Sequence, residues 1–129
     1  MPGTAAPAGT QVEQISMFFW PAEEMFAANV NVQRQVSGGM DEFVALTKAQ
    51  FPLLAWTMIS DKRTVIEGKP AWHLEYVGAF QGSQDHWEAL AIEDSNHDIW
   101  LATCTALASL WEKYQPLCGQ ALQTFSGPK

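Results

Sequence analysis

Basic side chains are scarce in this sequence, which has 7 Lys and Arg against 14 Asp and Glu and a formal net charge of −7. Phosphate binding needs clustered Lys and Arg, so this acidic chain is not expected to bind nucleic acid. An anionic membrane surface is disfavoured for the same reason. Long apolar runs are missing too, since none approaches the roughly 20 residues of a membrane-spanning helix. Because 47% of the 129 residues are nevertheless hydrophobic, we expect one compact domain.

The short motifs that mark common catalytic sites are also missing. The chain has no G-x-S-x-G nucleophile turn, no H-E-x-x-H metal-binding helix and no phosphate-cradling glycine loop. Nucleophilic catalysis needs a Ser, Thr or Cys beside an oriented base, and no such arrangement can be located in the sequence. We therefore predict a protein that is not an enzyme and uses no cofactor.

Cysteine is limited to Cys104 and Cys118, which leaves two arrangements open. They form a disulfide in an oxidising compartment or stay as free thiols in the core, and free thiols are the favoured arrangement. Residues 1–10 have neither a basic start nor an apolar segment, so they do not have the pattern of a signal peptide. The localisation stays open: a native Met1 predicts a cytoplasmic protein, and a removed N-terminal signal predicts a periplasmic or otherwise exported one.

Alternating and helical hydrophobic patterns fill most of the chain. The clearest alternation is at 64–80, where two strands flank a Gly68-Lys69-Pro70 turn. Further strands are predicted at 11–20, 29–36, 55–60, 85–92 and 98–105, with 61–63 as a solvated turn. Helices are predicted from Met40 to about Phe51 and from about Ser109 to Phe125, each with an apolar stripe.

These elements predict an α+β fold in which an antiparallel sheet of about six strands packs against two main helices. Short connections dictate antiparallel pairing, and both amphipathic helices must bury their stripes on the sheet. We expect a flexible segment at 1–10, one domain at 11–126 and a tail at 127–129.

Several segments, in order along the chain, resemble the PsbP/Mog1/DcrB-like group, the DUF1795-type domain. They are Pro7-x-Gly9-Thr10, Phe26-Ala27-Ala28-Asn29-Val30-Asn31-Val32, Met40-Asp41-Glu42-Phe43, Gly68-Lys69-Pro70-Ala71-Trp72 with Glu75-Tyr76, and Tyr114-x-Pro116 with Phe125. The resemblance implies an α-β-α sandwich that serves as a scaffold or chaperone-like domain. Its members bind photosystem II subunits, a small nuclear GTPase or hydrophobic segments of type VI secretion effectors. It implies no shared active site.

One strand of that group is reduced here, because residues 1–6 have no strand character. A missing edge strand would leave the N–H and C=O groups of its neighbour open to another chain. The resemblance therefore points to an open sheet edge as one surface for a partner.

Aromatic side chains are abundant, with six Trp and seven Phe. Core packing is the ordinary explanation for most of them. Large apolar groups on both faces of several strands also fit a sheet face that awaits a partner protein or a second subunit of a homodimer. Trp87 and Trp100 are expected to be neighbours on one face. The candidate partner-binding residues are Phe18, Trp20, Phe26, Trp87 and Trp100.

An alternative hypothesis is a divalent-metal-binding protein with a site on the 85–98 hairpin. His86 and Glu88 share a strand face, and His97 follows the next turn, so the hairpin would bring them together as ligands of zinc or manganese. The simpler interpretation is two histidines and a carboxylate near a loop. A closed structural zinc site uses four ligands, and only three can be named.

Overall fold

The computed structural model describes residues 11–125. The predicted flexible segment at 1–10 and tail at 127–129, and the Pro7-x-Gly9-Thr10 segment, lie outside the described residues. Within residues 11–125, neither helix is long and apolar enough to cross a membrane.

Within residues 11–125, six strands form one antiparallel sheet, which two helices cover from opposite sides. The elements of this part of the chain are β1 (Gln11–Phe19), β2 (Asn29–Val36), α1 (Met40–Leu54), β3 (Thr57–Ile66), β4 (Lys69–Phe80), β5 (Ser83–Glu93), β6 (Ile99–Leu107) and α2 (Trp111–Gln123), with a 3-10 turn (Ala108–Leu110) before α2. The order across the sheet is β1-β2-β6-β5-β4-β3. The predicted α+β fold is confirmed.

One face of the sheet packs against α1 through a cluster of aromatic rings. The ring of Trp87 lies 4.6 Å from that of Trp56 and 4.9 Å from that of Tyr76, measured between centroids. Phe51 of α1 reaches the same cluster, 5.0 Å from Tyr76. Trp87 is completely buried. Its prediction as a partner-binding residue is therefore wrong, because its ring fills the core between α1 and the sheet.

The opposite face packs against α2, which a disulfide ties to the sheet. Cys104 in β6 and Cys118 in α2 are bonded, and both are fully buried. The favoured prediction of two free thiols is therefore wrong. Fourteen positions separate the cysteines in the sequence, and only the docking of α2 on β6 brings their Cα atoms to 5.6 Å. Next to this bond, the ring of His86 stacks on that of Trp111 at 3.8 Å.

The charged segment 61–63 is part of a strand and not a turn. Asp61, Lys62 and Arg63 lie in the middle of β3, paired with residues 72–74 of β4. Three consecutive charges are tolerated there because β3 is an edge of the sheet and its side chains face water. The prediction of a separate short strand at 55–60 is corrected to one strand of ten residues.

Candidate functional site

The strand β1 forms an open edge of the sheet. Among residues 11–125 it pairs with β2 on one side and with no strand on the other. All its side chains from Val12 to Phe19 are exposed, although many are apolar. Phe18 is 57% exposed and Phe19 56% exposed. The large exposed apolar side chains of the second half of β1 and of the turn after it form what we name the edge patch: Ile15, Met17, Phe18, Phe19 and Met25.

β1 contains a bulge at Ile15, and the large apolar side chains that follow it lie on both sides of the sheet. Gln14 pairs with Gln33 and Ser16 with Val32, so Ile15 is the extra residue. The Gln14 side chain supports the bulge, because its Nε2 donates to the Ser16 carbonyl at 2.6 Å. Beyond the bulge, successive side chains alternate between the two faces.

The aromatic residues at the end of β1 follow this alternation. Phe18 pairs with Val30, whose side chain joins the core on the α2 side. Met17 and Phe19 pair with Asn31 and Asn29 and point to the α1 side. The edge patch therefore offers an apolar surface on each face of the same strand.

The turn that follows β1 is held against α2 by polar contacts. The Glu23 carboxylate accepts a hydrogen bond from the Tyr114 hydroxyl at 2.7 Å and another from the Lys113 ammonium. These two donors, the Lys113 ammonium foremost, lower the pKa of Glu23. Trp20 packs on the Tyr114 ring at 5.7 Å and on Phe18 at 5.2 Å. The edge patch therefore has a fixed support at the Phe18 end of β1.

The other edge of the sheet, formed by β3, carries charged side chains that discourage pairing with another chain. On β3, Asp61 lies 3.4 Å from the Lys48 ammonium, and Arg63 donates to the Asp41 carboxylate at 2.8 Å. Charged side chains on an edge strand, lysine above all, discourage pairing with another chain. The described part of β1 carries a single charge, on Glu13. The two edges therefore differ in chemistry, and the described part of β1 has fewer charged side chains than β3.

A cleft of about 390 Å³ opens beside the edge patch on the α1 side of the sheet. Its apolar lining residues are Met17, Phe19, Met25, Phe26, Ala27 and Phe80. Its polar lining residues are Asn29, Asn31, Gln81, Ser83, Asp85 and Thr105. Asn31, Asp85 and Thr105 are buried, whereas Phe19 and Met25 are exposed. The cleft thus has an apolar rim and a polar floor.

Two solved structures superpose on nearly the whole chain. PA94 of Pseudomonas aeruginosa, a protein of unknown function proposed as a regulator, superposes with a TM-score of 0.71 at 19% identity over 96% of this chain and 88% of its own. The chain has a PsbP/Mog1-like fold. The cyanobacterial PsbP (CyanoP) of Synechocystis sp. PCC 6803 superposes with a TM-score of 0.52 at 10% identity, over 96% of this chain and 95% of that one. At such identities the likeness establishes the fold alone.

Sequence comparison adds no closer relation for this PsbP-like chain. No family model matches the sequence, and no curated protein matches it. The predicted resemblance to the PsbP/Mog1-like group is therefore confirmed at the level of the fold.

Three of the five predicted partner-binding residues of the PsbP-like chain lie together, and two do not. Phe18, Trp20 and Phe26 all belong to β1 or the turn after it, with Trp20 and Phe26 half-buried. Trp87 is in the core. Trp100 lies on the opposite face, paired with Ile92, and its indole Nε1 donates to the Asp94 carboxylate at 2.9 Å. The expectation that the last two tryptophans are neighbours on one face is wrong.

The three predicted metal ligands do not converge in the PsbP-like fold. His86 lies near the start of β5, whereas His97 follows its far end and contacts Glu93 at 2.7 Å. Glu93 lies seven positions along the strand from His86, a span of about 23 Å. Within residues 11–125 no group of three or more His, Cys, Asp or Glu is arranged to hold a metal ion. The metal site on the 85–98 hairpin is therefore not formed.

His86 and Glu88 each pair with a residue of β4 instead. His86 Nε2 lies 2.5 Å from the Glu75 carboxylate, and Glu88 lies 2.7 Å from His73 Nε2. The hydrogen bond to Glu88 raises the pKa of His73. The alternation of β4 predicts that His73 and Glu75 share one face of the sheet. Their partners could not be predicted, because they depend on how β4 pairs with β5. That pairing places His73 diagonally across from Glu88 and Glu75 diagonally across from His86.

The His73–Glu88 pair borders a second cavity, of about 630 Å³, on the α2 side of the sheet. Leu90, Leu122 and Phe125 supply its main apolar walls. The imidazole and the carboxylate satisfy each other at its edge, so the pair is chiefly a structural contact between β4 and β5.

Proposed function

We propose that this chain is a non-catalytic binding domain, of scaffold or chaperone-like type, that holds an apolar segment of a partner protein against the edge patch. The observation that supports this most directly is the exposure of Phe18 and Phe19 on an unprotected edge strand. An extended segment added to β1 would pair with its free backbone groups and cover its apolar side chains. The resemblance to the PsbP/Mog1-like group, whose members bind partner proteins, supports a binding role.

Covering the exposed rings of the edge patch would contribute measurably to binding. Burying a whole Phe side chain is worth about 1.5–3 kcal/mol, and each ring here is a little more than half exposed. Covering Phe18 and Phe19 together would contribute about 2–3 kcal/mol. Pairing with the backbone of β1 and contact with Met17 and Met25 would add to that.

The proposal can be tested with a defined peptide and variants of the two edges. The probe is a fluorescently labelled strand of about ten alternating Val, Ile and Thr residues, solubilised by an ethylene glycol tail. Replacing Phe18 and Phe19 by Thr keeps the preference for a strand and removes both rings. We expect the F18T/F19T variant to bind about 30- to 100-fold more weakly in fluorescence anisotropy.

The matched control is Val65→Thr, because Val65 is 66% exposed on β3, the protected edge. This variant should bind the peptide as the wild type does. Equal affinities for the wild type and the F18T/F19T variant would contradict the proposal, and so would a wild type that does not bind. Light scattering separates the occupants: a wild-type dimer that F18T/F19T converts to a monomer would assign the edge patch to a second copy of this chain.

A further inference from the structure

Asp85 is the only ionisable residue among the described residues that line the cleft beside the edge patch. Only 1% of its surface is exposed. Its Oδ1 accepts a hydrogen bond from the Ser83 hydroxyl at 2.7 Å, and Ser83 also lines the cleft. No Lys, Arg or His is present among these lining residues, so the cleft itself supplies no counter-charge.

Burying a carboxylate whose only hydrogen-bond donor is neutral lowers the stability of the fold. Buried charges in proteins are normally paired with an opposite charge or a metal ion, because water no longer solvates them. Burial raises the pKa of Asp85, although the Ser83 hydrogen bond opposes the shift. Both observations indicate that the carboxylate would gain from a cation placed in the cleft.

We propose that Asp85 makes the cleft selective for a Lys or Arg side chain within the bound apolar segment. This inference rests on the proposed function, since it names the chemistry of the segment that the edge patch holds. The stem of such a side chain is apolar and would pass between Phe19 and Phe26, while its charged head pairs with the carboxylate on the floor. The volume of about 390 Å³ is sufficient for a long side chain, since one water occupies about 30 Å³ in the liquid.

The charge of the surroundings favours a basic partner as well. Glu24 is exposed in the turn beside the cleft, and the chain as a whole carries a formal net charge of −7. Opposite charge on a basic partner speeds its association, and like charge disfavours an acidic one. A neutral donor such as a hydroxyl would leave the carboxylate charge uncompensated, so a cation is the better match.

The test compares two versions of the peptide that differ at one central position, Lys or norleucine. Norleucine has an unbranched apolar stem like that of Lys but no charge. We expect the wild type to bind the Lys peptide about tenfold more tightly, as one charged hydrogen bond allows. Asp85→Asn keeps the size of the side chain and its acceptor for Ser83, and it should bind both peptides equally.

Two controls separate this inference from the proposed function. Glu24→Gln removes an exposed acid beside the cleft and should keep the preference for Lys. Acidification of the wild type through the pKa of Asp85 should weaken binding of the Lys peptide and leave the norleucine peptide unaffected, which tests the idea even if the Asn variant folds poorly.

The outcomes have distinct meanings. Equal affinity of the wild type for the two peptides would overturn the role of Asp85 and leave the edge patch as a binding site. A Lys preference that persists in a folded Asp85→Asn variant would overturn it as well. Failure of the wild type to bind either peptide would overturn the proposed function, and this inference with it.

Discussion

Breaking the disulfide bond between Cys104 and Cys118 should destabilise the domain. The size of the effect depends on the length of the loop that the bond closes. The cysteines are 14 positions apart, so the bond closes a loop of about 15 residues, for which the entropy of the unfolded chain predicts about 3 kcal/mol. Alanine is the appropriate replacement, because both positions are completely buried and a serine hydroxyl there would lack a partner.

Urea unfolding followed by tryptophan fluorescence measures this loss directly. For a chain of this size, about 3 kcal/mol corresponds to a fall in Tm of roughly 10–15 °C. Since either substitution breaks the bond, Cys104→Ala, Cys118→Ala and the double variant should lose nearly the same free energy of unfolding. Wild-type protein under reducing conditions should lose a comparable amount.

A loss below about 1 kcal/mol in the double variant would refute this reasoning. It would mean that α2 is held on the sheet by packing alone, through contacts such as the stacking of Trp111 on His86 and the burial of Leu122. Single variants that lose much less than the double variant would also contradict it, since the effect would then arise from two separate sites and not from one bond.

Two further predictions concern the sheet. Glu88 raises the pKa of His73, so the pair stabilises the fold at pH values below the ordinary pKa of His. This stabilisation is lost as the pH rises through the raised pKa. Tm should therefore fall as the pH is raised above about 6.5, the ordinary pKa of His, and less so in His73→Gln; equal slopes would contradict this. In Gly78→Ala the new Cβ would lie 2.2 Å from Trp56 Cδ1, costing about 1–3 kcal/mol in urea unfolding, whereas Gly119→Ala, with open space around it, should cost nothing.

The elements of this fold could be predicted from the sequence because their periodicity is local. The alternation of β4 and β5 and the apolar stripes of both helices are visible within ten to fifteen residues, and the structure has them nearly where they were expected. The segment 61–63 was mistaken for a turn because consecutive charges are usual in turns. They are equally acceptable on an edge strand, and the sequence alone does not say which strand is at the edge.

The predictions that failed concern features that depend on contacts between distant segments of the chain. β2 pairs with β6, which follows it by more than 60 positions, and this order decides which strands are central. That order and the register of the strands bury Trp87 and place Trp100 on the other face. They also bring His86 to Glu75. Phe18 is exposed on an edge strand, and its role in binding a partner stays a prediction. Asp85 was expected at the start of a strand, and nothing in its local sequence signals that its side chain is buried.

The bulge at Ile15 has a consequence for how much β1 can change in length. Ile15 is the extra residue between the Gln14–Gln33 and Ser16–Val32 pairs, so its removal would restore a regular ladder and leave Phe18 and Phe19 opposite the same residues of β2. Phe18 would keep its packing on Trp20, and Phe19 would stay at the rim of the cleft. The bulge therefore lets β1 lose one residue, whereas a further deletion would shift the strand by one position and exchange the faces of its side chains.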